Sequence, residues 1–95
     1  MKSIMQSRKE CFFTKRTTGL HEHHVFGAGN RKNSEKYGLK VWLTPELHNM
    51  GGNGADVHHH AGLDLLLKAL AQKIAMEHYG WTKEDFIRIF HKNYL

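Results

Sequence analysis

Apolar and polar positions alternate cleanly in one stretch of the chain. In LKVWL, Leu39, Val41 and Leu43 share one face and Lys40 and Trp42 the other, which predicts a half-buried strand that Thr44-Pro45 ends. Leu20 to Phe26 (LHEHHVF) is a second strand candidate, closed by Gly27, and Cys11-Phe12-Phe13 is a short third. The segment between the two longer strands, GAGNRKNSEKYG, is polar, basic and bounded by glycines. It reads as a loop with a helical turn around Ser34 to Tyr37. Beyond the glycine-rich Met50 to Gly54 the period changes. Leu63, Leu66, Leu67, Leu70 and Ile74 predict a helix from about Asp56 or Val57 to His78 or Tyr79, stopped by Gly80. Thr82-Lys83-Glu84-Asp85 resembles a capping box and opens a second helix, about 82–92, with Phe86, Ile87, Ile89 and Phe90 on its apolar side. Met1 to Glu10 reads as a polar lead-in. Trp42, opposite the buried strand residues, is expected to pack beneath the C-terminal helix, with stacking on a base as the alternative.

The order strand, loop, strand, loop, helix, helix suits a single α+β domain over 1–95. A two-stranded hairpin packs on the first long helix (core about 11–79), and an extra C-terminal helix follows. A chain of this size buries roughly 60–65% of its unfolded surface, so a metal, a partner or a nucleic acid would help to hold it. The lone Cys11 excludes an internal disulfide and zinc ribbons built on cysteine pairs, and fits a reducing compartment. No apolar run approaches the length of a membrane span, and the N-terminal stretch lacks a signal peptide's apolar segment. The expectation is a soluble, cytoplasmic protein with no membrane partner. Its net charge of +5 favours a polyanionic partner.

Histidine changes the picture more than charge does. The chain holds nine, seven of them between His21 and His60. His23-His24 sits near the end of one predicted strand, His48 follows the other, and His58-His59-His60 opens the long helix. Three elements can thus bring imidazoles to one point, as a hydrolytic metal centre requires. Neighbouring strand residues point to opposite faces, so the strand must bend or end for both His23 and His24 to reach that point.

The order of these features resembles the HNH branch of the His-Me finger (ββα-metal) endonucleases. CFFTKRTTGLHEHHVFG, NRKNSEKYGLKVWLTPELHN and ADVHHHAGLDLLLKALAQ are most similar to small HNH-type proteins of bacteriophages and prophages. The resemblance covers about Cys11 to Gln72 and implies a ββα-metal core. It implies His24 as the general base that takes a proton from water, and His23, His48 and His58 as ligands of one divalent cation (Mg²⁺, Mn²⁺, Ni²⁺ or Zn²⁺). It implies Arg31, Lys32 or Lys36 as phosphate contacts, DNA as substrate, and a bacterial host's cytoplasm as the setting. Within the histidine triple, Val57-His58 matches the family's pattern, while helix phase places His59 and His60 nearer the buried face; the choice stays open.

The sequence departs from the family at its central asparagine, whose place falls near Leu39, with Asn33 a distant candidate. This departure and the small size keep a second function in view: a non-catalytic DNA-binding, packaging or recombination accessory factor with a structural metal. Either function suits a larger phage partner such as a terminase or recombinase, because so small a chain has little surface for base readout.

Overall fold

The computed structural model describes residues 1–50 and 60–95. The architecture is α+β. Strand β1 (His21–His24) pairs antiparallel with β2 (Lys40–Leu43), with His21 opposite Leu43, His23 opposite Val41 and His24 opposite Lys40. A 3-10 turn (Ala28–Asn30) and helix α1 (Arg31–Tyr37) connect the strands. A single π-helical turn (Glu46–Met50) follows β2, and helices α2 (Ala61–Tyr79) and α3 (Lys83–Phe90) complete the described chain. No helix among the described residues is long and apolar enough to cross a membrane.

Leu39, Val41 and Leu43 are buried as the alternation in LKVWL predicts, joining Val25, Phe26, Leu67, Ala71, Ala75, Phe86 and Phe90 in one core, while Lys40 on the opposite face is buried too and Trp42 partly so. Phe26 lies 4.7 Å from Phe90, which stacks on Phe86 at 4.7 Å. Burying each such ring contributes about 1.5–3 kcal/mol. Gln72, fully buried on α2, is satisfied by the C-terminal tail. Its amide donates to Asn93 Oδ1 (2.9 Å) and its carbonyl accepts from Tyr94 N (2.7 Å). Gly80 caps α2 in the left-handed conformation, and Thr82 with Asp85 forms the capping box of α3.

Five expectations are corrected. Cys11-Phe12-Phe13 is a turn, not a strand; Cys11 is buried and Phe12 N bonds Trp42 O at 2.8 Å. The basic loop carries a helix of seven residues, α1, held by tertiary contacts rather than by an apolar stripe. Helix α2 starts at Ala61, later than Asp56 or Val57, because His60 caps it: His60 Nδ1 accepts from Leu63 N at 3.0 Å. Leu66 is half-exposed, and the buried line runs through Leu67, Ala71 and Ala75 at four-residue spacing. Trp42 packs against the N-terminal segment, not under the C-terminal helix.

That N-terminal segment is built into the sheet. Ile4 N bonds Gly38 O (2.9 Å), Ser3 Oγ donates to Lys40 O, and Gln6 Oε1 accepts from Trp42 N (2.7 Å). These bonds occupy the edge of β2 that β1 leaves open, where unpaired N–H and C=O groups invite association with another chain.

Candidate functional site

Strand geometry puts His21 and His23 on one face of β1, and Glu22 and His24 on the other. His23 is buried (4% exposed). Its ring lies 5.3 Å from that of His48, which the π-helical turn carries inward. The turn starts where Thr44 O accepts from both Leu47 N (3.1 Å) and His48 N (2.9 Å). His21, on the same face of β1 as His23, also meets His48, Nδ1 to Nδ1 at 3.1 Å. Two nitrogens bound to one cation at 2.0–2.1 Å are about 2.9–3.4 Å apart, depending on the angle between them. The His21–His48 spacing is therefore that of a shared proton or of a shared cation, and the donor chemistry fits a divalent metal that accepts imidazole.

His24 ends β1 and turns toward α1. Ser34, fully buried, donates from Oγ to Phe26 O (2.7 Å) and accepts from Phe26 N (3.0 Å), pinning α1 to the end of β1. The next residue, Glu35, then meets His24 Nε2 at 3.0 Å. A carboxylate only accepts, so Nε2 carries the hydrogen and neutral His24 keeps its lone pair on Nδ1. Lys40, opposite His24 in the strand pairing, lies 3.0 Å from Glu35 and 3.3 Å from Glu22. Burial alone would lower the Lys40 pKa, but hydrogen bonds and charge from the two glutamates more than offset it and raise it. Glu35 is held well below the usual carboxylate range by hydrogen bonds from the Met1 ammonium, then His24 and Lys40.

Among the described residues, Glu22, His24 and Glu35 form a group whose donor atoms all lie within 4.8 Å of one another. The Lys40 ammonium already faces both carboxylates and fills the cationic role there, so the group is an ion-pair cluster around a histidine.

Of the residues singled out from sequence, His23, His24, His48 and Arg31 line one open depression, with Gly27 and Ala28. Lys32 and Lys36 are exposed on α1 and do not line it; the Lys36 ammonium lies over the Tyr37 ring at 5.3 Å. His58 and His59 lie outside the described residues, and His60 is an exposed helix cap. Asn33 donates to Ile89 O (3.1 Å), tying α1 to α3, and does not line the depression. Sequence reasoning missed His21 as the partner of His48, although its i, i+2 spacing from His23 put both on one face. It missed Glu35 as well, whose approach to His24 depends on the tertiary bond through Ser34. No family model, curated protein or solved structure matches the chain.

Proposed function

We propose that this chain is a divalent-metal-dependent endonuclease that hydrolyses DNA phosphodiester bonds, on a ββα-metal core formed by β1, β2 and α2. The observation that carries the reading is the meeting of His23, His24, His48 and Arg31 in one open depression, with His24 anchored through Nε2 on Glu35. His23 and His48 would hold one cation, with His58 beyond the described residues, and His21 Nδ1 would offer a further nitrogen. When bound, the cation supplies positive charge to the phosphoryl oxygens and to the departing 3′ oxygen.

The protein's own groups supply the rest. His24 Nδ1 takes a proton from a water molecule whose oxygen forms the new bond to phosphorus. The phosphorus–3′ oxygen bond breaks, and the 3′ oxygen takes a proton from solvent. Glu35 keeps the other ring nitrogen protonated, which fixes the base in one tautomer and orientation. The Arg31 guanidinium, on the rim, matches a phosphate's oxygens in pairs. With little surface for base readout, delivery by a larger protein such as a terminase or recombinase belongs to this reading.

The test is end-labelled duplex, single-stranded and branched DNA incubated with Mg²⁺, Mn²⁺, Ni²⁺ or Zn²⁺. Cleavage leaving 3′-hydroxyl and 5′-phosphate ends is expected. No cleavage of any form, with DNA binding unchanged by chelation, would instead favour a DNA-binding accessory factor with a structural metal.

A further inference from the structure

A second depression lies on the other side of Glu22. It is an open groove of about 550 Å³ between the N-terminal segment and the outer face of β2, within the size range of small-ligand clefts. Its cationic lining comes from Lys2, Arg8, Lys9 and Lys40, and its aromatic lining from Trp42. Lys40 is committed to Glu22 and Glu35. Lys2, Arg8 and Lys9 are exposed, and none has a carboxylate partner among the described residues.

Trp42 is held from both sides of its backbone: its N–H by Gln6 Oε1 (2.7 Å) and its carbonyl by Phe12 N (2.8 Å). The ring is part-exposed, with the Lys9 ammonium over it at 4.6 Å from its centroid. Glu22 lines both this groove and the depression of His23, His24 and Arg31, so the two adjoin at its side chain.

We infer that this groove holds a single-stranded nucleic-acid segment running out of the His24 centre, with phosphates on Lys2, Arg8 and Lys9 and one base stacked on Trp42. The inference rests on the nuclease reading for DNA as the ligand. Three cations with no carboxylate partner among the described residues, beside an aromatic ring, are the elements of a single-strand site, where charge follows the backbone and a ring takes an unpaired base. A duplex keeps its bases stacked on each other and offers such a ring nothing to face. On binding, the Lys9 ammonium moves from the ring to a phosphate, exchanging a cation–π contact for a charge-assisted hydrogen bond.

The experiment measures binding of a fluorescein-labelled 12-nucleotide oligothymidylate to the full chain in EDTA, by anisotropy and by tryptophan quenching across a salt series. Quenching is expected to persist in Trp81→Phe and to disappear in Trp42→Phe, which retains most of the affinity. Trp42→Ala weakens binding about 5- to 100-fold with its salt dependence unchanged. Arg8→Ala/Lys9→Ala lowers the slope of log K against log salt by about 1.4. Lys73→Ala/Lys83→Ala removes the same charge elsewhere and serves as control. Equal losses in the control and groove pairs, wild-type binding by Trp42→Ala with quenching retained in Trp42→Phe, or equal affinity for polyglutamate would each overturn the inference. Expected groove behaviour in a chain that cleaves no DNA would remove the nuclease reading and leave the groove. Cleavage by a chain whose groove variants bind like wild type would do the reverse.

Discussion

Gly38→Ala tests how the N-terminal segment is joined to the sheet, and its size follows from the geometry. Gly38 caps α1 with φ +72°, a left-handed conformation that costs a residue bearing Cβ about 1–2 kcal/mol. An added Cβ would lie 2.5 Å from Lys2 O and 3.1 Å from Ile4 N. Both are backbone atoms, so the segment must retreat as a unit. Retreat strains the Ile4 N to Gly38 O bond and the Ser3 Oγ to Lys40 O bond, each worth about 0.5–1.5 kcal/mol net. The expected loss is about 2–5 kcal/mol in all. Gly80 is the control: it caps α2 with φ +69° but has nothing within 4 Å of an added Cβ. Gly80→Ala should therefore cost only about 1–2 kcal/mol. At about 4–8 °C per kcal/mol for a domain of this size, thermal unfolding by circular dichroism separates the two. Gly38→Ala should melt well below Gly80→Ala and also lose oligonucleotide affinity. Equal melting temperatures would refute the claim that the N-terminal segment bears on Gly38.

Ser34→Ala leaves the N–H and C=O of buried Phe26 without their side-chain partner and should cost about 2–4 kcal/mol in urea unfolding; a loss under 1 kcal/mol would mean α1 is pinned otherwise. The depressed Glu35 carboxyl contributes stability that is fully present above the ordinary carboxylate pKa of about 4.3 and is lost as pH falls below it. The drop in urea midpoint between pH 5.5 and pH 3 should thus be smaller in Glu35→Gln than in wild type, and equal drops would contradict the assignment. His48→Ala should abolish, and His21→Ala weaken about 10- to 100-fold, the binding of one Zn²⁺ per chain by calorimetry; unchanged affinity in both would remove these imidazoles from the metal site.

Local signals carried the parts of the fold that local physics decides. The alternation of LKVWL, the left-handed stop at Gly80 and the Thr82–Asp85 box each state their structure within a few residues. Helix α1 is legible only as a turn around Ser34 to Tyr37, because RKNSEKY has no apolar stripe and is held by Ser34 on Phe26 and by Tyr79 donating to Tyr37 O (2.8 Å). The apolar stripe of α2 misled at Leu66 because leucines and alanines surround much of that helix, so periodicity does not single out the face that alanines at 71 and 75 allow to pack closely. The site divides in the same way. His23 and His48 stood out through their spacing and meet, whereas Glu35 comes to His24 across a helix and a strand end. The N-terminal segment read as a polar lead-in because its role rests on bonds to Gly38, Lys40 and Trp42, more than thirty residues away.

The central claim is that His24 is the base of a metal-dependent nuclease, and its most direct test is nicking of supercoiled plasmid. Wild type and His24→Ala are compared across Mg²⁺, Mn²⁺, Ni²⁺ and Zn²⁺, with an EDTA lane. The account predicts nicking by wild type that disappears in EDTA and in His24→Ala, while the variant still binds one metal ion. Equal nicking by His24→Ala, or no nicking by wild type with any metal, would contradict it.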